Sequence, residues 1–253
     1  MIDFIGKVVL VTGAGSGIGE ATARLFSRGG ARCWLADRDA EAVATVCAEL
    51  TDAQPLALDV RDASGWRAAE ERIGPFDILV NAAGISRTSA AAGFADVSLD
   101  SWRDVFAVNV EGTLLGCQSA MRAMRAEGGA IVNIASTAGV CPSATLAAYG
   151  ASKAAVLQMT RSVAAWCAGE GLAIRCNAVQ PGMIDTPMTA GLPPRMRARW
   201  EEQIPLGTFG QPDDVASAIA YLASDAAAYV NGAALPVDGG MLNRAVVVAP
   251  RER

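Results

Sequence analysis

A phenol and an ammonium stand four residues apart in the stretch Tyr149-Gly-Ala-Ser-Lys153, whose composition predicts a helix. Positions i and i+4 share one face of a helix, so both side chains can serve one site. An ammonium about 4 Å from a phenol stabilises the phenolate by roughly 4 kcal/mol at an effective dielectric constant near ~20, which lowers the pKa of the phenol. The pair is typical of a general acid/base that works near neutral pH, although unrelated exposed side chains also occur at this spacing.

Composition narrows the chemistry that is open to this pair. The chain has no histidine, which excludes Ser-His-Asp and Cys-His catalysis and argues against a zinc site, so no metal is predicted. Only Lys7 and Lys153 are lysine among the 21 basic residues. Arginine cannot give up its proton in a protein whereas lysine can, so a chemical role is favoured for Lys153.

The overall balance of the sequence predicts one soluble domain without nucleic-acid or membrane partners. Its 253 residues, 52% hydrophobic and 19% charged, match a single α/β domain. A net charge of -5 does not attract phosphate backbones, and no apolar run approaches the roughly 20 residues that span a bilayer. Because no charged and apolar leader is visible, we expect a cytoplasmic protein. Its six cysteines, which show no C-x-x-C spacing, are expected to be reduced core residues.

A glycine-rich stretch connects the first predicted strand to the first predicted helix. The strand Lys7–Thr12 runs into Gly13-Ala-Gly-Ser-Gly17-Ile-Gly19, and a helical pattern follows from Glu20 to Arg28. At such a junction the free backbone N–H groups and the helix dipole can bind a pyrophosphate. The spacing is T-G-x-x-x-G-x-G, which differs from the common G-x-G-x-x-G pattern.

The second predicted strand, Arg32–Asp37, ends on a carboxylate about 20 residues after the glycine loop. In a dinucleotide-binding unit, an acid at this place accepts hydrogen bonds from the adenosine ribose and repels a 2′-phosphate. Arg38 could instead pair with that phosphate. Since Asp37 already occupies the ribose position and Ser16 is not basic, the sequence favours NAD over NADP as the cofactor.

The remaining chain alternates apolar runs with helical patterns, which predicts one parallel sheet covered by helices on both faces. The segment 183–205 combines four prolines with apolar and charged residues and is predicted to be a lid, and a tail follows at 243–253. The further predicted strands are Pro55–Val60, Phe76–Val80, Ala130–Ala135, Ala173–Val179 and Ala233–Val237. The long predicted helices are Leu99–Ala126 and Tyr149–Cys167, and a shorter one is Pro212–Ala223.

Six motifs stand in the order and spacing of one known family. The chain resembles the short-chain dehydrogenase/reductase family over nearly its whole length, up to Asp238-Gly-Gly240. The resemblance implies a single domain (1–253) with a Rossmann-type, doubly wound, seven-stranded parallel sheet. It also implies hydride transfer between a nicotinamide and a carbonyl or secondary alcohol. The motifs are Thr12-Gly13-Ala-Gly-Ser-Gly17-Ile-Gly19, Asn81-Ala-Ala-Gly84, Asn109, Ser136, Tyr149-x-x-x-Lys153 and Pro181-Gly182.

The resemblance also implies residue roles. Tyr149 would exchange the proton with the substrate oxygen, and Ser136 would hydrogen-bond that oxygen. Lys153 would hold the nicotinamide ribose and lower the pKa of Tyr149, while Asn109 would anchor a water that links Lys153 to solvent. The implied cofactor positions are Gly13, Ser16, Gly17, Ile18, Gly19, Asp37, Arg38, Asp59, Val60, Asn81, Ala82, Ala83, Gly84, Tyr149, Lys153, Pro181, Gly182, Ile184 and Thr186. The expected substrate pocket comprises Ser136, Ser143, Tyr149, Ser86, Met183 and Met188.

Three functions are open at this point. One is an NAD-dependent dehydrogenase of a secondary alcohol such as a polyol, a cyclic alcohol or a hydroxysteroid-like substrate. Another is an NADPH-dependent reductase of 3-oxoacyl thioesters on acyl carrier protein. A non-catalytic nicotinamide-sensing protein is the third, and the intact Ser136, Tyr149 and Lys153 argue against it. The resemblance further implies a homo-oligomer, a tetramer or a dimer, formed through the helices around Asn109 and Tyr149.

Overall fold

The computed structural model describes residues 2–86, 94–143 and 145–243. Within these ranges, seven strands form one sheet in the order β3-β2-β1-β4-β5-β6-β7, and every neighbouring pair is parallel. The order reverses between β1 and β4, which opens a crevice at the carboxyl ends of these strands. The strands are β1 Val8–Thr12, β2 Arg32–Asp37, β3 Ala53–Ala57, β4 Ile78–Asn81, β5 Gly129–Ile134, β6 Ile174–Pro181 and β7 Ala234–Val237.

Helices cover both faces of the sheet, as the sequence predicted. One apolar core contains residues of α1, α2 and α8, and the other contains residues of α3, α5 and α6. In the described part of the chain the helices are α1 Gly17–Arg28, α2 Ala40–Ala48, α3 Ala63–Ile73, α4 Leu99–Phe106, α5 Gly112–Ala123, α6 Ala147–Gly169, α7 Pro194–Glu201 and α8 Pro212–Ala223.

The strand residues divide between the two cores with the period of two that a pleated strand imposes. In β1, Val9 and Val11 belong to one core and Leu10 belongs to the other. All three are fully buried. A strand that is buried on both faces reads as a continuous apolar run, which is why Lys7–Thr12 could be predicted as a central strand.

Several helices begin where a short polar side chain caps the first free N–H groups. Asp39 accepts hydrogen bonds from the N–H groups of Glu41 and Ala42 at the start of α2. Asp62 caps α3 and Ser98 caps α4 in the same way. These caps place the helix starts directly after the loops that border the crevice.

Some predicted boundaries differ from the structure. The predicted helix Leu99–Ala126 is α4 and α5 joined by a π-helical turn, Ala107–Glu111, and the third strand ends at Ala57, before the predicted Val60. The first helix begins at Gly17, inside the glycine loop. The predicted lid contains α7, and the predicted tail lies outside the described residues beyond position 243.

All six cysteines are free, and five of them are buried as expected. Cys141 is exposed, so the prediction of a core position was wrong for this residue. It lies in the loop after β5, where the chain runs over the surface. No helix in the described ranges is both long and apolar enough to cross a membrane.

Candidate active site

The glycine loop packs the start of α1 tightly against β1 and the end of β4. Gly13 has a φ of +65°, and a Cβ on it would lie 2.7 Å from backbone atoms of Ala83. A Cβ on Gly19 would overlap the carbonyl oxygen of Gly13. Ser16, which precedes the helix, makes no side-chain cap hydrogen bond, so its side chain leaves the helix N-terminus open to an anion. These features fit the pyrophosphate of a dinucleotide.

A carboxylate lies at the rim of this loop. Asp37, the last residue of β2, accepts a hydrogen bond of 3.0 Å at Oδ2 from the N–H group of Gly15. Its Oδ1 accepts another of 3.0 Å from the N–H group of Asp39. Two backbone donors therefore hold the carboxylate at the position where a dinucleotide ribose is expected.

An ion-pair network borders the same end of the crevice. The Arg61 guanidinium donates to Asp59 Oδ1 from Nε (2.9 Å) and to Oδ2 from Nη2 (2.6 Å), and its Nη1 lies 3.5 Å from Asp104 Oδ1. Hydrogen bonding from Arg61 holds the pKa of Asp59 below its usual range, and the charge of Arg38 adds a smaller effect in the same direction. Arg61 was not predicted as a site residue. The spacing Asp59-Val60-Arg61 was a visible signal for it.

These groups line a cleft with two parts. The larger part, about 290 Å³, lies at the glycine loop and the smaller part, about 100 Å³, lies at Tyr149. Both parts share Ile18, Ala82, Gly84, Thr186 and Met188. Every predicted cofactor position lines one of the parts except Asn81. Lining residues that the sequence analysis did not predict are Leu58, Arg61, Ile85, Val108, Pro187, Ile134, Ala135 and Thr189.

Asn81 points into the protein interior. It is buried, and its Nδ2 donates to Asn133 Oδ1 of the neighbouring strand at 2.9 Å. The loop after it is held by Thr12, whose Oγ1 accepts from the N–H groups of Ala82 and Ala83, each at 3.2 Å. Asn81 thus supports the shape of the cleft wall and does not border the cleft.

The predicted catalytic side chains meet in the smaller part of the cleft. Ser136 follows β5, and Tyr149 and Lys153 project from α6. Lys153 is buried, its Nζ donates to the carbonyl oxygen of Ile134 at 2.7 Å, and it lies 5.7 Å from the centroid of the Tyr149 ring. The sequence spacing of Tyr149 and Lys153 therefore does place both side chains at one site.

Burial dominates the acidity of these groups. Burial raises the pKa of the Tyr149 phenol, and the hydrogen bond with Ser136 lowers the same pKa by a smaller amount. Burial also lowers the pKa of Lys153 to about 8. The expected lowering of the Tyr149 pKa by Lys153 is not seen in this structure, since the ammonium bonds to Ile134 and desolvation of the phenol is the larger effect.

Asn109 occupies the π-helical turn and is completely buried. Its Nδ2 donates to the carbonyl oxygen of Ile85 and to Ser152 Oγ, both at 3.0 Å, while its Oδ1 accepts from the Ile85 N–H group at 2.9 Å. A Cβ on Gly84 would lie 3.4 Å from both Asn109 Oδ1 and Lys153 Nζ. Asn109 thus fixes the loop next to Lys153, and the water-anchoring role stays a prediction.

The expected substrate residues are only partly brought together. Ser136, Tyr149 and Met188 line the catalytic part of the cleft, whereas Ser143, Ser86 and Met183 line neither part. Thr189, which does line it, was not predicted. Its Oγ1 donates to the carbonyl oxygen of Ile184 at 2.7 Å and accepts from the Thr186 N–H group at 3.1 Å, which closes a local turn.

Comparisons with known proteins agree with this arrangement. A family model described as enoyl-(acyl carrier protein) reductase matches residues 13–242. The meso-2,3-butanediol dehydrogenase of Serratia marcescens is 39% identical over 244 residues, which are 94% of this chain and 95% of that protein. The cis-4-hydroxycyclohexanecarboxylate dehydrogenase of Sinomonas cyclohexanicum is 44% identical over 246 residues, 94% and 97% of the two chains. A crystal structure of a short-chain type dehydrogenase/reductase from Mycobacterium marinum superposes with a TM-score of 0.89 at 33% identity, covering 96% of this chain and 98% of that one.

The chain belongs to the short-chain dehydrogenase/reductase family. It is an oxidoreductase of CH–OH groups and its cofactor is a nicotinamide dinucleotide. The family and the fold that the sequence motifs predicted are thereby confirmed.

Proposed function

We propose that this protein is an NAD-dependent dehydrogenase that interconverts a secondary alcohol and its ketone. The observation that carries the proposal is the continuity of one cleft. Its larger part has the glycine loop and Asp37, and its smaller part has Ser136, Tyr149 and Lys153. A dinucleotide held along the larger part would bring its reactive ring to the smaller part.

The proposed preference for NAD rests on Asp37. Its carboxylate oxygens are fixed by two backbone donors, so the negative charge cannot easily turn away from a ligand at this rim. It can accept hydrogen bonds from ribose hydroxyls and would repel a 2′-phosphate. Arg38 and Arg61 line the same end, but the second of these is already paired with Asp59 and Asp104.

The remaining contacts to the cofactor follow from the cleft. Gly13, Ser16, Gly17, Ile18 and Gly19 would hold the pyrophosphate and adjoining ribose. Asp59 and Val60 would border the adenine. Gly84, Lys153, Ile184 and Thr186 would hold the nicotinamide half. When bound, the nicotinamide supplies or accepts the hydride.

The protein moves the proton. In ketone reduction, the Tyr149 hydroxyl gives its proton to the substrate oxygen and is left as a phenolate, and in alcohol oxidation the phenolate form of Tyr149 takes the proton of the substrate hydroxyl. The Ser136 hydroxyl holds the same substrate oxygen. Lys153 is cationic below its pKa of about 8 and would hold the nicotinamide ribose beside Tyr149.

The proposed substrates are polyols, cyclic alcohols or hydroxysteroid-like alcohols. Among the described residues that line the catalytic part, only Tyr149 and Lys153 are ionisable, and the other side chains are small or apolar. Such a lining suits a neutral secondary alcohol. Among the relatives, the meso-2,3-butanediol dehydrogenase supports a neutral diol, and the cis-4-hydroxycyclohexanecarboxylate dehydrogenase supports a cyclic secondary alcohol.

A 3-oxoacyl thioester reductase is the second candidate. It is favoured by a relative, the 3-oxoacyl-(acyl-carrier-protein) reductase of Thermotoga maritima, which is 38% identical over 246 residues. Arg38, next to Asp37, could pair with the additional phosphate that such an NADPH-dependent enzyme binds.

We also propose a cytoplasmic homotetramer. Leu99 at the start of α4 is 66% exposed, and Trp102 and Phe106 stack on the same helix with ring centroids 4.8 Å apart. An apolar surface on this helix supports self-association. Light scattering of the purified chain would measure the oligomeric state.

The test is a panel of substrates followed through nicotinamide absorbance. Meso-2,3-butanediol, galactitol, cyclohexanol and a hydroxysteroid are offered with NAD and with NADP, and an acetoacetyl thioester is offered with NADH and with NADPH. The Tyr149→Phe variant serves as the blank. We expect NAD-dependent oxidation of at least one alcohol, whereas turnover of only the thioester with NADPH would support the second candidate.

A further inference from the structure

We propose that Asp185 and Arg197 form a positioning pair that sets the cleft wall at Ile184 and Thr186 and so controls the affinity for the alcohol. The inference rests on the proposed function for its substrate. It concerns a contact between the segment after β6 and helix α7, outside the groups that handle the proton.

The pair is bidentate. Arg197 donates from Nη1 to Asp185 Oδ1 at 2.5 Å and from Nη2 to Asp185 Oδ2 at 2.9 Å. The hydrogen bonds from Arg197 hold the pKa of Asp185 below its usual range, so the carboxylate stays charged at neutral pH. Two parallel bonds between planar groups define an orientation, which a single contact would not do.

Arg197 is held by further contacts. Its guanidinium carbon lies 4.3 Å from the centroid of the buried Phe209 ring. Its Nε donates to Glu201 Oε1, one turn further along α7, at 2.9 Å. Asp185 has a second donor as well, because Gln211 Nε2 lies 3.2 Å from its Oδ2. The pair thus joins α7 to the segment that leads into α8.

Asp185 lies between two residues of the cleft wall. Ile184 lines the catalytic part, and Thr186 lines both parts. The backbone here is tied to the loop before α8, with Asp185 N–H donating to the Gly210 oxygen at 2.9 Å and Gly210 N–H donating to the Met183 oxygen at 3.0 Å. A shift of the Asp185 side chain would therefore disturb the backbone hydrogen bonds with Gly210 and move the adjacent cleft residues Ile184 and Thr186.

The pair is placed to affect local order more than global stability. The side chains of Arg197 and Asp185 are 39% and 32% exposed. Ion pairs with such exposure contribute little to folding. The contact between Arg197 and Glu201 provides a matched control, since it uses the same guanidinium but connects two positions of α7 and does not reach the cleft wall.

The kinetic experiment compares Arg197→Gln, Asp185→Asn, the double variant, Arg197→Lys and the control Glu201→Gln. We expect each single variant of the pair to raise KM for the alcohol about fivefold, with kcat within about twofold and the melting temperature within about 2 °C of the wild type. The double variant should be no worse than either single one, since both remove the same interaction. Arg197→Lys should recover part of the loss, and Glu201→Gln should match the wild type.

Hydrogen exchange provides a readout that does not need turnover. The amides of Asp185 and Gly210 should lose protection in Arg197→Gln and keep it in Glu201→Gln. Unchanged protection in Arg197→Gln, an equal effect of Glu201→Gln, or additive effects in the double variant would overturn the proposal. Lost protection in a protein that oxidises none of the alcohols would uphold the positioning pair and count against the proposed function.

Discussion

The two ends of the cleft differ in how far their polar and charged side chains are exposed to water. At the adenosine end, which is the glycine-loop end where the adenosine half of the cofactor is proposed to lie, the paired side chains of Arg61 and Asp59 are 42% and 37% exposed. Hydrogen bonds between the charged groups hold them. At the catalytic end, Asn109, Lys153 and Ser136 are at most 8% exposed. The charged groups at the adenosine end are in contact with water, whereas the groups at the catalytic end are shielded from water.

This difference separates recognition from reactivity. Exposed charges are screened by salt and contribute moderate energies, so they suit the choice between similar cofactors. Buried groups shift their pKa because water cannot stabilise the charged form, so they suit proton transfer. A single change at the catalytic end should therefore cost more turnover than a single change at the adenosine end.

The largest effect is expected for Tyr149→Phe. Removing the hydroxyl deletes the proton acceptor and should lower kcat by about 10²- to 10⁴-fold, the usual contribution of general acid/base catalysis. The dissociation constant of NADH, measured by fluorescence, should stay within about threefold. Turnover near the wild-type level would contradict the assignment of Tyr149.

A smaller effect is expected for Asp37→Ala at the opposite end. Loss of the carboxylate should lower the preference for NADH over NADPH by roughly tenfold to hundredfold, or about 1.4 to 2.8 kcal/mol. Steady-state kcat/KM with each cofactor measures it. Asp39→Ala, which removes a neighbouring acid that caps α2, is the control and should retain the preference. An unchanged preference in Asp37→Ala would remove the ribose assignment.

The dependence of stability on pH tests burial at the catalytic end. Lys153 has a pKa of about 8 when folded and 10.5 as its ordinary value, so the unfolded chain binds more protons between these values. Its contribution to stability is therefore unfavourable below pH 8 and improves as the pH rises toward 10.5.

Relative to Lys153→Met, the wild type should gain about 2 kcal/mol of stability between pH 8 and pH 10. This gain corresponds to about 4 to 8 °C of melting temperature in a chain of this size. Differential scanning fluorimetry of both proteins across this range measures it. The melting temperature of Lys7→Met, a variant at an exposed lysine, should change with pH in the same way as that of the wild type. If the melting temperature of Lys153→Met also changed with pH as that of the wild type does, Lys153 would keep its ordinary pKa.

The smallest effect is expected for Arg61→Ala. Loss of a half-exposed guanidinium at the adenosine end should weaken NADH binding by about two- to fivefold without a change in kcat. The loss should shrink in high salt because the charges involved are solvated. Arg67→Ala, which removes another exposed arginine of the same region, is the control. A loss of kcat comparable to that of Tyr149→Phe would abolish the distinction between the two ends.

Local patterns in the sequence predicted much of the fold. The bounds of β2, Arg32–Asp37, and of α8, Pro212–Ala223, were predicted correctly because apolar periodicity and a proline at the helix start mark them. Motif spacing placed Tyr149 and Lys153 together because positions i and i+4 share a helix face. The glycine loop was predicted from its glycines between a strand and a helix, and the structure shows why position 13 needs glycine, since a Cβ there would lie 2.7 Å from backbone atoms of Ala83.

Other features depend on residues that are distant in the sequence. The π-helical turn in the predicted helix Leu99–Ala126 accompanies the hydrogen bonds of Asn109 to Ile85 and Ser152, which no helical periodicity encodes. Asn81 points inward because Asn133 of the neighbouring strand receives its hydrogen bond. Besides its local partner Asp59, Arg61 has a second carboxylate partner in Asp104, 43 positions further on.

By itself, the sequence determined the family and the order of strands and helices, and it predicted the groups proposed to handle the proton, because turns, periodicity and helical spacing are local properties. Only the tertiary structure decided the pKa of Lys153, which is lowered by burial, and the direction of the shift at Tyr149. The same holds for the bidentate contact of Arg197 with Asp185. Burial and geometry of this kind arise when separate segments pack together and exclude water.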